Sequence, residues 1–278
     1  MREDNSFDRR AYLKGAGAAG LFALTGTAGC VGGSGGGGSG GGGGGSGGSS
    51  NQVVPGTAPG FPPFEMREGG EIVGFDVDLL SAVVAETDYQ LGDWQAFEFD
   101  SLIPALTNDK IDAIAAAMTI NEERNGTIDF SSPYYNADQS VLVRGGGSFS
   151  PSELQALSGH PVGAQEGTTG ESQVKKLVEN GTLQQSNYNS YGNYVLAVED
   201  LTNGNIDAVV LDKPVAETFV EQRPVEIAFT VETSERYGFG MRTDDDDLTQ
   251  ALNRGLEAVR ESGKYEEIRN EWFGSNSG

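Results

Sequence analysis

Arg124 and Asp212 are the two residues whose types and placing best suit a shared piece of chemistry. Each follows a copy of one local pattern. Leu106-Thr107-Asn108-Asp109-Lys110-Ile111-Asp112-Ala113-Ile114 is echoed by Leu201-Thr202-Asn203-Gly204-Asn205-Ile206-Asp207-Ala208-Val209, in both cases a helix end, a polar turn and an apolar strand. Met118-Thr119-Ile120-Asn121-Glu122-Glu123-Arg124 comes after the first strand, and Asp212-Lys213-Pro214 after the second. A guanidinium fork grips a carboxylate through two parallel hydrogen bonds, and a carboxylate accepts from an ammonium group; charge assistance makes both stronger than neutral bonds. If the two halves face each other, the pair suits a zwitterion, and an α-amino acid carries both groups on one carbon. By pattern alone, Asp212 equally suits a helix N-cap and Arg124 a solvated helix face.

Little else in the sequence offers catalysis. One cysteine, Cys30, and one histidine, His160, rule out a disulfide framework and a thiolate zinc cluster and leave no spare His for a Ser/His/Asp triad. His160 stands before Pro161 and reads as a turn residue. Asp76 and Asp78 are expected to stabilise the positive end of a helix. The run Asp244–Asp247 reads as a solvated helix start, since four consecutive carboxylates cannot all face one ion. The glycines at 32–48 follow no strand and end in no Gly-Lys-Ser/Thr, so they are no phosphate loop. No metal, cofactor or catalytic residue is expected.

The elements that must position Arg124 and Asp212 alternate between strand and helix. A strand over 72–75 leads into a helix over 76–86, where Val77, Leu79, Leu80, Val83 and Val84 fall at helical spacing. A helix over 102–106 carries Pro104 near its start, and the unbroken apolar run 111–118 suits a strand buried on both faces. Such alternation implies an α/β fold with two open, largely parallel sheets, which gather ligands outside the carboxyl ends of their strands. Extended segments at 141–144 and 229–233, beside Gly145-Gly146-Gly147, are expected to carry the chain between lobes twice, and two crossings make a hinge.

The N-terminal fifty residues read differently. Asp8-Arg9-Arg10-Ala11-Tyr12-Leu13-Lys14 precedes a Gly/Ala-rich apolar stretch, the layout of a cleavable export signal, and it resembles a twin-arginine signal. The stretch is too short and glycine-rich for a spanning helix, which needs about 20 mostly apolar residues. Thr27-Ala28-Gly29-Cys30 resembles a lipobox whose first position departs from the usual Leu, and the Gly/Ser run at 31–50 has nothing to bury, so it is expected to be a tether. With 41 Asp+Glu against 18 Lys+Arg, the formal charge of −23 argues against nucleic-acid partners and fits the solvated acidic coat of salt-adapted proteins.

Several blocks carry a likeness to a known family. Gly74-Phe75-Asp76-Val77-Asp78-Leu79, Phe61-Pro62-Pro63-Phe64-Glu65, Ile103-Pro104-Ala105-Leu106, Ile128-Asp129-Phe130-Ser131-Ser132-Pro133-Tyr134-Tyr135, Gly167-Thr168-Thr169, Leu211-Asp212-Lys213-Pro214 and Glu271-Trp272-Phe273-Gly274 stand in the order of the extracellular solute-binding proteins of family 3. From 53 to 274 the chain resembles this family, which serves polar amino-acid ABC importers. The resemblance implies a two-lobed periplasmic-binding fold of type II with a double-crossover hinge. The segments expected are a lipoprotein signal at 1–29, lipidated Cys30 and tether at 30–50, lobe one at 51–142, lobe two at 143–233 and a return to lobe one at 234–278.

Carried over by position, the resemblance implies that Arg124 and Thr119 hold a ligand's α-carboxylate, helped by Thr168 and Thr169 at the start of a lobe-two helix. Asp212 and the carbonyl of Ala117 would accept from the α-ammonium, and Phe61 and Phe99 would sandwich the ligand unless they are core filler. Ala58 stands where relatives often have an acid that reads a basic side chain, and Gln165 lies at another side-chain contact. A neutral polar or acidic amino acid is therefore expected, glutamine or glutamate most plainly. The expected product is a monomer, lipid-anchored outside the cell membrane, that feeds an ABC permease. The alternatives are a cyclohexadienyl-dehydratase-like enzyme on the same fold and a ligand-sensing module; with no signalling domain after Gly274, transport is expected over sensing.

Overall fold

The structure, a computed structural model, describes residues 51–274. The expected export signal, Cys30 and the Gly/Ser tether lie outside the described residues.

Lobe one opens with β1 (Gln52–Val53), β2 (Pro55–Thr57) and a hairpin of β3 (Met66–Glu68) and β4 (Glu71–Val73) leading into α1 (Phe75–Ala85). β5 (Gln90–Leu91) pairs with β1, and β6 (Gln95–Ala96) with β2. Then come α2 (Leu102–Thr107), β7 (Ala113–Ile114), the short α3 (Glu122–Asn125) and β8 (Asp129–Phe130). β9 (Tyr135–Arg144) passes into lobe two, built from β10 (Val162–Gln165), α4 (Thr169–Glu179), β11 (Tyr188–Tyr191), α5 (Tyr194–Asn203), β12 (Ala208–Asp212) and α6 (Lys213–Gln222). β13 (Val225–Tyr237) returns, and β14 (Gly240–Met241), α7 (Asp246–Glu261) and α8 (Lys264–Phe273) complete lobe one.

The two sheets have matching designs, with orders β6-β2-β7-β14-β8 and β11-β10-β12-β9-β13. In each, the first three strands run parallel, and a strand following a crossing joins antiparallel. The echoed sequence segments supply β7 and β12, which hold the third place in their sheets. Arg124 thus stands beyond the carboxyl end of β7 and Asp212 at the carboxyl end of its equivalent, β12.

The apolar face of α1 forms as its spacing predicts, with Val77, Leu79, Leu80, Val83 and Val84 all buried. Asp76 differs from expectation. Although it lies in the first turn of α1, it is wholly buried and its Oδ2 accepts from the Ala117 backbone N–H (2.7 Å) and the Tyr134 hydroxyl (2.5 Å). That bond draws the chain out of the sheet, so the expected strand over 111–118 is regular only at Ala113–Ile114, and Ala117 takes φ 45°. The acidic run does begin a helix: Asp245 caps α7 by accepting from the Leu248 N–H at 3.3 Å.

The first crossing comes nearer lobe one than the sequence boundary at 142/143, whereas the boundary at 233/234 falls within the irregular stretch of β13 between Val231 and Glu235. Gln139–Val143 already pair with β12, whereas Tyr135, Asn136 and Ala137 pair with Tyr237, Arg236 and Glu235. Those boundaries therefore cut through β9 and β13. Beneath the crossing, the Phe64 ring lies 5.0–5.9 Å from the rings of Phe75, Tyr135, Tyr237 and Phe273. Edge-on aromatic packing of this kind adds roughly 0.5–1.5 kcal/mol per pair beyond area burial and stiffens the base of both crossing strands.

Candidate ligand cleft

Arg124 sits on α3, a single helical turn started by Asn121, whose side chain accepts from the Arg124 N–H. Only 8% of the residue is exposed. One terminal nitrogen donates to the Thr119 carbonyl at 2.7 Å, and the other to the Gly167 carbonyl in lobe two at 2.9 Å. The guanidinium carbon lies 5.3 Å from the centroid of Phe99, a cation–π contact. Burial draws its pKa down, opposed by the charges of Glu235 and Asp212. The cation therefore occupies the same cleft as both carboxylates.

Asp212 ends β12 and takes the cap position of α6, yet its side chain makes no capping bond. It accepts instead from the Tyr237 hydroxyl at 2.5 Å. Burial, with the nearby Glu235 charge adding to it, pushes its pKa up to about 7 against the hydrogen bonds of Tyr237 and Gln139. The cap alternative is thus unused: the carboxylate faces the crossing strands of the cleft.

The lobes touch across this cleft. The Thr169 hydroxyl, at the first position of α4, donates to the Thr119 hydroxyl at 3.2 Å, and the Phe61 ring meets that of Tyr194 at 5.7 Å. Two glycines make the approach possible. Gly60, at φ 139°, would drive a Cβ to within 2.9 Å of Asn193, and Gly167, at φ 77°, would bring one to 3.0 Å from Asp100. Phe61 and Phe99, 6% and 9% exposed, line the interface from lobe one. A cavity of about 330 Å³ beside Arg124 is lined by Phe99, Met118, Gly167, Thr169 and Ser172 among others.

Other expected residues are placed less simply. Ala117 is buried, its N–H bound to Asp76. Thr168 caps α4: its hydroxyl donates to the Gln165 carbonyl at 2.7 Å and accepts from the Glu171 N–H at 3.2 Å. A hydroxyl has one proton, so Thr168 is a satisfied cap rather than a free donor to an anion. Gln165 is 2% exposed; its amide donates to the Gly192 carbonyl, and its Oε1 is buried without a hydrogen-bond partner. His160 lies in its turn, paired with Asp207 at 2.8 Å.

Sequence reading missed Glu235. It is 6% exposed and accepts from the Thr119 hydroxyl (2.6 Å), the Gln139 amide (2.8 Å) and the Thr233 hydroxyl (2.9 Å). The only available signal was an acid in a strand adjoining the crossing.

Residues 53–275 match the model of the bacterial extracellular solute-binding proteins, family 3. A probable histidine-binding protein of Neisseria gonorrhoeae is 34% identical over 224 residues, covering 78% of this chain and 81% of that protein. An ancestral arginine-binding protein bound to arginine superposes with a TM-score of 0.76 at 36% identity, over 81% of this chain and 99% of that one. An ancestral amino acid-binding protein, a precursor of cyclohexadienyl dehydratase, gives 0.74 at 28% identity, over 81% and 96%. No helix among the described residues is long and apolar enough to cross a membrane. The two-lobed α/β fold, its ordered motifs and the family match agree: the chain belongs to the bacterial extracellular solute-binding proteins of family 3.

Proposed function

We propose that this chain is the substrate-binding component of an ABC importer, capturing an α-amino acid between its lobes and presenting the closed form to a permease. The observation that carries this reading is a chain of contacts between the two charges: Arg124 donates to the Thr119 carbonyl, Thr119 bridges to Tyr237, and the Tyr237 hydroxyl donates to Asp212. Arg124 takes the α-carboxylate, and Asp212 with the Ala117 carbonyl takes the α-ammonium. Phe61 and Phe99 exclude water, which strengthens both contacts. Docking on lobe one precedes closure about the two crossing strands. Micromolar capture corresponds to about −8 kcal/mol, and reaching it takes groups from both lobes because closure itself costs free energy.

The relatives' names support a basic side chain. A neutral polar ligand is the second reading, favoured by Ala58 and by the unpartnered Oε1 of Gln165. A thermal-shift screen of the twenty amino acids decides between them: binding to the folded state raises the melting temperature, and a screen with no response would reject the amino-acid reading. Dehydratase chemistry would need a free acid or base at the ligand; Asp212 is engaged by the ammonium, and Glu235 already accepts from Thr119, Gln139 and Thr233.

We also propose that Cys30 carries the lipid that holds a monomeric binding lobe pair at the outer membrane face. Cys30→Ser is expected to move the protein from the membrane fraction to the medium. Membrane retention of that variant would refute the anchor.

A further inference from the structure

β13 is not a regular strand where it crosses the cleft. Its register with β9 jumps from Val231 opposite Gln139 to Glu235 opposite Ala137, four residues against two. The extra residues are held by the Asp138 carboxylate, which accepts from the backbone N–H groups of Thr233 (2.8 Å) and Ser234 (2.9 Å), with Ser234 at φ 52°. A bulge of this kind re-aims the next side chain. Here it turns Glu235 inward, 2.6 Å from the Thr119 hydroxyl.

Two consequences follow from elementary accounting. The single proton of the Thr119 hydroxyl goes to Glu235, so toward lobe two Thr119 offers lone pairs only, as its bond from Thr169 shows. In this arrangement the Thr119 hydroxyl is an acceptor toward lobe two, which suits a cation there. Two buried carboxylates near Arg124, Asp212 and Glu235, face that one buried guanidinium, and buried Glu65 adds a further acid beside Asp212. An amino acid with a neutral side chain adds one charge of each sign and leaves a buried carboxylate uncompensated, which is costly in a closed site. A side-chain cation reduces the imbalance, and an acidic one deepens it.

We propose that Glu235 is a specificity-determining residue of the cleft, selecting amino acids with a cationic side chain over neutral and acidic ones. This rests on the amino-acid reading above and adds to it the group that reads the charge. Arginine and citrulline make the test, because they share shape and differ in side-chain charge. In wild-type protein, calorimetry is expected to show arginine bound at least about tenfold more tightly than citrulline, and in Glu235→Gln the ratio is expected to fall to about threefold or less, as loss of a compensating charge implies. A wild-type ratio near one overturns the charge selection while leaving amino-acid capture standing. A ratio retained in Glu235→Gln shows that another group carries the selection and overturns the role of Glu235. If wild-type protein binds no amino acid, the underlying reading fails and this one with it. Should Glu235→Gln not fold, Glu235→Asp withdraws the carboxylate by one methylene; a reduced ratio supports the proposal and an unchanged one rejects it.

Discussion

Arg124→Ala is expected to weaken amino-acid binding at least tenfold. Two charge-assisted hydrogen bonds of roughly 1.5–3 kcal/mol each to the α-carboxylate would put the loss above about a hundredfold. The substitution also removes the bond from the Arg124 guanidinium to the Gly167 carbonyl, so it weakens the closed form even before a ligand enters. Arg124→Lys separates the two contributions. It keeps the charge but loses the planar fork that reaches two acceptors at once, and should lie between alanine and wild type. Titration calorimetry reads the effect directly, and wild-type affinity in Arg124→Ala would remove Arg124 from the site. Arg124 also donates to the Thr119 carbonyl and lies over the Phe99 ring, so a melting curve of the alanine variant separates lost folding from lost binding.

Affinity is expected to fall as pH drops below about 7, because Asp212 has its pKa pushed up to about 7 by burial and by Glu235. The sign is set by what the ligand needs. Its ammonium is bound by the ionised carboxylate, so below pH 7 a proton must leave Asp212 when ligand enters, and each further unit costs up to about tenfold. Calorimetry in buffers of different ionisation enthalpy should register that proton release at pH 6 and lose it by pH 8. Asp212→Asn should bind weakly at every pH, with no such slope; a wild-type profile flat from pH 5.5 to 8 would place the ammonium elsewhere. The same raised carboxyls act oppositely on folding. Asp76 and Asp212, both moved from 3.8 to about 7, bind protons more readily in the folded chain, so their contribution to stability is full in acid and is lost as pH rises toward 7.

Much of this site was legible because it is built from repetition. The segments 106–114 and 201–209 share a local pattern, and local pattern decides helix, turn and strand. Once the two strands were recognised as equivalents, the charged residues beyond their ends had to fall at equivalent edges. Phe61 stands within one of the ordered motifs and Phe99 was assigned by family position alone, and the glycines at 60 and 167 are types that tolerate the positive φ angles found there.

What escaped was decided by partners far apart in the chain. Thr119 and Glu235 are 116 residues apart, and Asp76 and Ala117 are 41. Whether a hydroxyl donates or accepts depends on which neighbour takes its single proton, so the bonds from Thr119 to Glu235 and from Thr168 to the Gln165 carbonyl could not be read along the chain. The position of the crossing likewise depended on strand pairing, which no run of residues within β9 or β13 contains. The amino-acid sequence by itself determined the elements, the duplication and the family motifs, since these rest on periodicity and local backbone preference. Only the tertiary structure decided the charge balance of the cleft, because a buried carboxylate acquires its meaning from the groups folded against it.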